Sequence, residues 1–386
     1  MLCKGSHANA IATIVLFVVG VLLAPASAQT ETVLHSFCAK TQCLDGALPV
    51  AGLVFDKKGN LYGTTWEGGA NGAPYGAGVV FKLTPESKEK VLYSFCTKDN
   101  CADGEEATSG LVFDKQGNLY GTTVGGGAYG SLYSGGVVFK LTPKRKETVL
   151  YSFCAETNCA DGSTPTGVVF DQNKNLYGTT VYGGAYGGTD SGGVIFKLTP
   201  KGKQTVLYSF CAQTNCADGE YPVAAPTFDR QGNLYGTTGL GGVYGAGVVF
   251  KLTPEGAETT LYNFCAQTNC ADGSGPEAGL VVDRNGNLYG TTGEGGAYAG
   301  GVVFKLTPDG TETVLYSFCA QTKCADGDLP EGALVLDRKG NLYGTTNSGE
   351  HLSSVMVSYS KLLPRARRPS FTTSVSRRTV RMGTLL

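Results

Sequence analysis

The chain has 386 residues, a formal net charge of −1 and a sequence pI of about 6.3, which offer no general attraction to nucleic acid or to an anionic membrane. Glycine reaches 57 residues without a three-residue period, while aromatic residues stand at 10% and apolar residues at 41%. This composition excludes a collagen-like or disordered chain and implies a buried core.

Residues 1–28 carry Lys4, an apolar stretch from Ile11 to Leu23, and the small-x-small tripeptide Ala26-Ser27-Ala28. The stretch is short for a membrane span and ends at a cleavage-like site, so the segment reads as an export signal rather than an anchor. The mature chain is expected to start near Gln29, to have no membrane span, and to be secreted, periplasmic or at the cell surface. Without Cys3, twelve cysteines remain in six Cys-x-x-x-x-Cys pairs: Cys38/Cys43, Cys96/Cys101, Cys154/Cys159, Cys211/Cys216, Cys265/Cys270 and Cys319/Cys324. An even count, paired once per repeat in an exported chain, predicts local disulfides formed in an oxidising compartment. The rival is zinc, whose sites favour two-residue cysteine gaps or histidine partners. The mature chain retains only His35 and His351, so no metal is expected.

From about residue 31 to 349 the chain repeats itself, and one domain spanning 29–350 is expected. Each copy runs through a cysteine pair, an Asp-Gly turn, an apolar run such as Leu53-Val54-Phe55, an Asp-x-x-Gly-Asn corner, and Leu-Tyr-Gly-Thr-Thr. The corner is a hairpin turn: Asp bonds its own backbone, and Gly or Asn tolerates positive φ. The first five copies continue through a Gly-rich loop into a third strand such as Val248-Val249-Phe250-Lys251-Leu252. In it Val248, Phe250 and Leu252 share one face. A second turn, Pro254-Glu255-Gly256, leads to a fourth strand ending at Phe264. That phenylalanine recurs at 37, 95, 153, 210, 264 and 318. Four sequential antiparallel strands per repeat of this length fit an all-β β-propeller of about six blades, the last incomplete. The alternative, a β-solenoid, stacks short parallel rungs and does not call for two tight hairpins per repeat. Thr32–Phe37 precedes the first hairpin and is a candidate to complete the last blade and close the ring.

Strand alternation puts both tight turns of every repeat on one face of the disc and both long loops, the disulfide loop and the Gly-Gly-x-Tyr loop, on the other. Tyr75, Tyr129, Tyr186, Tyr244 and Tyr298 recur in the Gly-rich loops, where they can stack on a sugar or grip a protein partner, or else plug gaps between blades. Asp103, Asp161, Asp218 and Asp272, with Asp45 and Asp326, either ring this face with carboxylates or cap their Asp-Gly turns. No closely spaced run of oxygen ligands suggests calcium. His35 stands where the other repeats have Tyr93, Tyr151, Tyr208, Tyr262 and Tyr316. It is therefore a strand residue before it is a catalytic one. No Ser–His–Asp or Cys–His scheme emerges, and no Gly-rich loop leads from a strand into a helix with a following lysine. No cofactor is expected.

The combination Cys-Ala-x-x-x-Cys-Ala-Asp-Gly, Asp-x-x-Gly-Asn-Leu-Tyr-Gly-Thr-Thr and Gly-Val-Val-Phe-Lys-Leu-Thr-Pro resembles the Gloeo/Verruco tandem repeat of exported, surface-anchored bacterial proteins, a family without assigned chemistry. The shorter Asp-x-x-Gly-Asn-Leu-Tyr stretch is similar to blades of NHL and gluconolactonase-like propellers, and no catalytic residue carries over from it. The residues favour an exported, non-enzymatic repeat protein that binds a polysaccharide or surface protein through its disulfide-bearing face. The alternative is a propeller enzyme, a lactonase or glycan lyase. An enzyme would show unlike polar residues at equivalent innermost positions, whereas Leu-Val-Phe-Asp and its counterparts are near copies.

The sixth copy departs from the pattern after Thr345-Thr346. Residues 351–386 form a basic tail that, in a shifted reading frame, permits the rest of the repeat. The tail is expected to be disordered, leaving the sixth blade without its third strand and with an open sheet edge through which molecules can associate.

Overall fold

The computed structural model describes residues 33–71, 76–130 and 134–349, together with the backbone of 358–362. The expected export signal, Tyr75 and the rest of the basic tail lie outside the described residues. No helix among the described residues is long and apolar enough to cross a membrane.

Six antiparallel sheets follow one another along the chain, each made from one repeat. In the second, the strands are Val112–Phe113, Leu119–Thr123, Val137–Leu141 and Glu147–Ser152, hydrogen-bonded in sequence order. The fourth sheet has its first strand in two pieces, Glu220–Pro222 and Thr227–Phe228. This is the blade order expected of a β-propeller.

Two tight turns bound each sheet on its plain side. In the first repeat Asp56 donates from its backbone to the Asn60 carbonyl and Gly59, at φ +78°, donates to the Asp56 carbonyl. The Asp56 carboxylate accepts from the backbone of Lys58 and Asn60, from Asn60 Nδ2 and from Tyr62 Oη. Although desolvation opposes ionisation, these donors hold Asp56 down at about 2, and burial with the neighbouring Asp56 charge pushes Tyr62 up to about 12.

The same tyrosine joins one blade to the next. Phe113 meets the Tyr62 ring edge-on at 5.1 Å, Phe170 meets Tyr120 at 5.0 Å and Phe228 meets Tyr177 at 5.2 Å. Each such pair is worth about 0.5–1.5 kcal/mol beyond its buried area. Further in, Thr64 donates to the Ser109 carbonyl, Thr122 to that of Pro165 and Thr237 to that of Ala278. Further out, Phe95 inserts against Phe139 and Phe153 against Phe196, all fully buried. Core clusters accordingly span neighbouring sheets.

Two expectations at the ends need correction. The sixth sheet does have a third strand: Ser358–Leu362 pairs with Leu342–Thr346. Lys361 lies opposite Tyr343 and Leu362 opposite Leu342, the register that Lys305 and Leu306 take in the fifth sheet. An unpaired second strand presents a row of backbone donors and acceptors, and a segment ending in Lys-Leu satisfies them. The segment 33–37 forms no strand with the last sheet. Instead Phe37 packs on Phe81 at 4.8 Å, just as Phe95 packs on Phe139. The outward faces of the end sheets remain open, with Phe55 68% and Val335 63% exposed, where their internal counterparts are at least partly buried.

All six cysteine pairs are disulfide-bonded within their own repeat, as Cys38–Cys43, Cys96–Cys101, Cys154–Cys159, Cys211–Cys216, Cys265–Cys270 and Cys319–Cys324. Positive φ is not confined to the glycines of the hairpin corners. The second cysteine of each pair is itself left-handed, at +51° in Cys43, +49° in Cys101, +51° in Cys159, +52° in Cys216, +51° in Cys270 and +53° in Cys324. A bridge closed over four intervening residues has to turn the chain back on itself, and the left-handed steps supply that reversal. A loop this short contributes about 2 kcal/mol in the chain-entropy account.

Beneath each loop lies a fully buried aspartate. Asp218 accepts from the backbone of Ala212 and Gln213 and from Tyr208 Oη at 2.8 Å. Replacing Asp218 by alanine strands these donors and is expected to cost on the order of 3 kcal/mol in urea unfolding. A loss below about 0.5 kcal/mol would show that the loop holds itself without the staple.

A second carboxylate approaches some of these aspartates from the fourth strand of the same repeat. Lys98 reaches Glu147 at 3.2 Å and Lys40 reaches Glu89 at 2.9 Å. Glu258 and Glu312 occupy the same strand position, but Gln213 and Gln267 replace the lysines. Burial, reinforced by Asp218 and Asp272 respectively, pushes both glutamates up to about 7. In the third repeat the position is Gln204, whose amide donates to the Asp161 carbonyl. Because the folded-state value lies above the ordinary 4.5, the folded state holds these protons more tightly. The associated stability is full below pH 4.5 and is lost as pH rises through about 7. Glu258→Gln with Glu312→Gln is therefore expected to raise the melting temperature by a few degrees at pH 8, equivalent to on the order of 1 kcal/mol per site after solvent screening, and to leave it unchanged at pH 5. Equal shifts at both pH values would refute the coupling.

Candidate functional site

The long-loop face is built on these staples. The disulfide loop holds left-handed backbone at its centre, with φ +55° at Asn158 and Asn215, conformations that asparagine tolerates. Past the Asp-Gly turn a second left-handed residue recurs: Leu48, Glu106, Thr164, Tyr221 and Leu329, with φ between +53° and +60°. In three of them the N–H donates to the preceding blade, Glu106 to the Ala77 carbonyl, Thr164 to that of Gly135 and Tyr221 to that of Gly192. The backbone there is invariant while the side chain changes from repeat to repeat.

One of them, Tyr221, lines a groove of about 680 Å³ spanning the second to fourth repeats. Tyr129 comes from the second Gly-rich loop, Glu156 and Asn158 from the third disulfide loop, Tyr182 and Asp190 from the third Gly-rich loop, and Tyr221 from the fourth repeat. Tyr182 and Tyr221 meet edge-to-face at 5.4 Å. Tyr221 Oη donates to the Asp190 carbonyl at 3.0 Å, and Thr189 Oγ1 donates to the Asp190 carboxylate. Burial first, then Glu220, raises the Tyr221 phenol above its usual range. Glu156 and Asp190 are exposed, so their carboxylates face water.

Of the residues singled out in the sequence, Tyr129, Tyr186, Tyr244 and Tyr298 are each more than half exposed. They do not plug gaps between blades. Only Tyr129 lines this groove. Of the bonded cysteines, Cys154 and Cys159 border it, while Cys43, Cys270 and Cys324 belong to the first, fifth and sixth disulfide loops and stand apart from it. Asp103, Asp161, Asp218 and Asp272 lie at 0% exposure under the disulfide loops. Burial would raise Asp103, but bonds from Tyr93, Thr97 and Lys98 outweigh it and hold the carboxyl below its usual range. These aspartates cap loops and present no oxygen to a ligand. Glu105 and Glu220 approach the sulfurs of Cys96–Cys101 and Cys211–Cys216, but those sulfurs are bonded to each other and are not thiolate ligands.

Tyr182, Tyr221, Thr189 and Asp190 were not among the residues that the repeat pattern singles out. Their signal is departure from the repeat: Glu67, Gly125, Leu240 and Glu294 stand where Tyr182 does, and Leu48, Glu106, Thr164 and Gly275 where Tyr221 does.

Solved structures similar to this chain include a candidate 6-phosphogluconolactonase from Bacteroides uniformis, at 16% identity, covering 85% of each chain with a TM-score of 0.51. A luciferin-regenerating enzyme matches at 13% identity over 80% of this chain and 87% of its own, with a TM-score of 0.42. The first likeness shows a propeller-type fold and no more. Among curated proteins none matches the sequence. The Gloeobacter/Verrucomicrobia repeat profile matches residues 21–215 and 129–357, which carry every strand but Ser358–Leu362, and the chain belongs to that repeat family.

Proposed function

We propose that this is an exported, non-enzymatic repeat protein that binds a polysaccharide through its long-loop face. The observation that carries this reading is the groove in which Tyr129, Tyr182 and Tyr221, from three successive repeats, converge beside Asn158, Thr189 and Asp190. Aromatic rings offer flat, weakly polar surfaces to the C–H faces of a sugar, and the surrounding amide, hydroxyl and carboxylate groups can bond its hydroxyls. The volume lies in the range of small-ligand sites. Disulfides and buried aspartates stiffen the loops beforehand, so little ordering is left for the moment of binding. The exposed carboxylates favour binding over the alternative of a lactonase or lyase. Six disulfides in one chain suit an oxidising, extracytoplasmic setting.

On a glycan array the oxidised protein is expected to retain neutral polysaccharides, with Tyr129→Ala and Tyr182→Ala each weakening retention about tenfold, a loss of about 1.4 kcal/mol. Absence of retention on the array, combined with turnover of a lactone or uronate polymer, would reverse the assignment.

A further inference from the structure

The opposite face carries a groove that the tyrosine site does not touch. It lies between the second and third sheets, encloses about 620 Å³, and is walled by Lys115, Lys140 and Lys174 together with Leu150, Leu198 and Pro200. Lys140 Nζ sits 5.6 Å from the Tyr120 ring. Among the described residues none of these lysines pairs with an acid; the ion pairs all involve the disulfide loops. Asp114 and Asp171 border the groove, but their oxygens accept from Asn118 and Asn175 and from the turn backbone.

Three departures from the repeat lie on this face. The outer turn of the second repeat reads Thr-Pro-Lys144-Arg145-Lys146 and that of the third Thr-Pro-Lys201-Gly202-Lys203. In the first, fourth and fifth repeats the residue after proline is Glu86, Glu255 and Asp309. The third departure is Lys174 itself. It holds φ +66° at the turn position where the other five repeats have Gly59, Gly117, Gly232, Gly286 and Gly340 at +78° to +89°. A lysine in left-handed backbone is strained relative to glycine, and strain kept at one member of a repeated set points to a use for the side chain.

We propose that this groove binds an acidic polysaccharide of the uronate class, its carboxylates meeting the lysine cluster and its sugar rings lying on Leu150, Leu198 and Pro200. Lysine ammonium groups attract carboxylates as point charges. The recess favours a strand that enters it over a flat lipid surface, which would rest on the rims. The net charge of −1 conceals this patch because the carboxylates of Glu105, Glu106, Glu220, Glu277 and Glu294 belong to loops on the other face.

The test is affinity electrophoresis of the oxidised full chain in gels containing polygalacturonate or neutral dextran. Polygalacturonate is expected to retard the protein, less so as salt rises. Lys115→Glu with Lys201→Glu should weaken this at least tenfold. Lys174→Gly should weaken it several-fold while raising the melting temperature by a few degrees, since five sister turns already fold with glycine. Tyr182→Ala should leave it unchanged, which separates this site from the tyrosine groove. Equal retardation of the wild-type and charge-reversed chains would overturn the proposal. So would loss of retardation in Tyr182→Ala alone, or binding to phosphatidylglycerol vesicles without binding to polygalacturonate.

Discussion

A four-stranded sheet with two apolar faces cannot be stable alone in water, and in this molecule the remedy is one contact repeated: a phenylalanine of one blade set edge-on against a tyrosine of the blade before it. The tyrosine is held in place by the aspartate that also shapes the hairpin turn, as Tyr62 is by Asp56. Turn chemistry and blade packing thus converge on the same side chain. Where the repeat relaxes to Val282 or Leu336, aliphatic residues keep the apolar contact without the ring geometry. At the array's ends half the contact is missing, and Phe55 stands exposed for that reason.

The period, the strand order and the disulfides were legible because each rests on chemistry confined to a few neighbouring residues. Asp-x-x-Gly-Asn specifies a turn wherever it occurs, and Cys-x-x-x-x-Cys can close on itself. What was illegible depends on residues distant in the chain. The protons on Glu258 and Glu312 are held by burial, reinforced by Asp218 and Asp272, which lie more than 35 residues earlier in sequence. Phe37 belongs to no strand, yet fills the interface position of Phe95. The third strand of the sixth sheet was missed because pairing depends on backbone donors that any extended segment can satisfy.

The same dependence on neighbours explains why the innermost residues say little about use. Leu-Val-Phe-Asp and its counterparts are near copies because they form the blade interface, whose phenylalanine gives way only to other apolar residues, Val282 and Leu336. Variation is free only past the Asp-Gly turn and before the Gly-Gly pair, where a fixed backbone projects its side chain outward. There Tyr221 replaces Glu106 or Gly275 with the N–H bond to the preceding blade kept. Identity among repeats marks the scaffold, and difference marks the sites.

That rule also separates the two faces. On the long-loop face the departures are aromatic and hydrogen-bonding, and they lie on loops already fastened by disulfides and buried carboxylates. On the tight-turn face they are cationic, and two of them, Arg145 and Lys174, sit in left-handed backbone where sister repeats have glycine. A turn that must reverse the chain in five residues has little freedom, so most of its side chains are committed to Asp, Asn and Gly. Placing a charge there requires either a neighbouring position, as at Lys115, or acceptance of strained backbone, as at Lys174. A random surface substitution would be expected to take the first route. Use of the second, beside a cavity and on the face of two outer turns that have lysine where the others have an acid, is the arrangement a binding site for anions requires and a purely architectural turn does not.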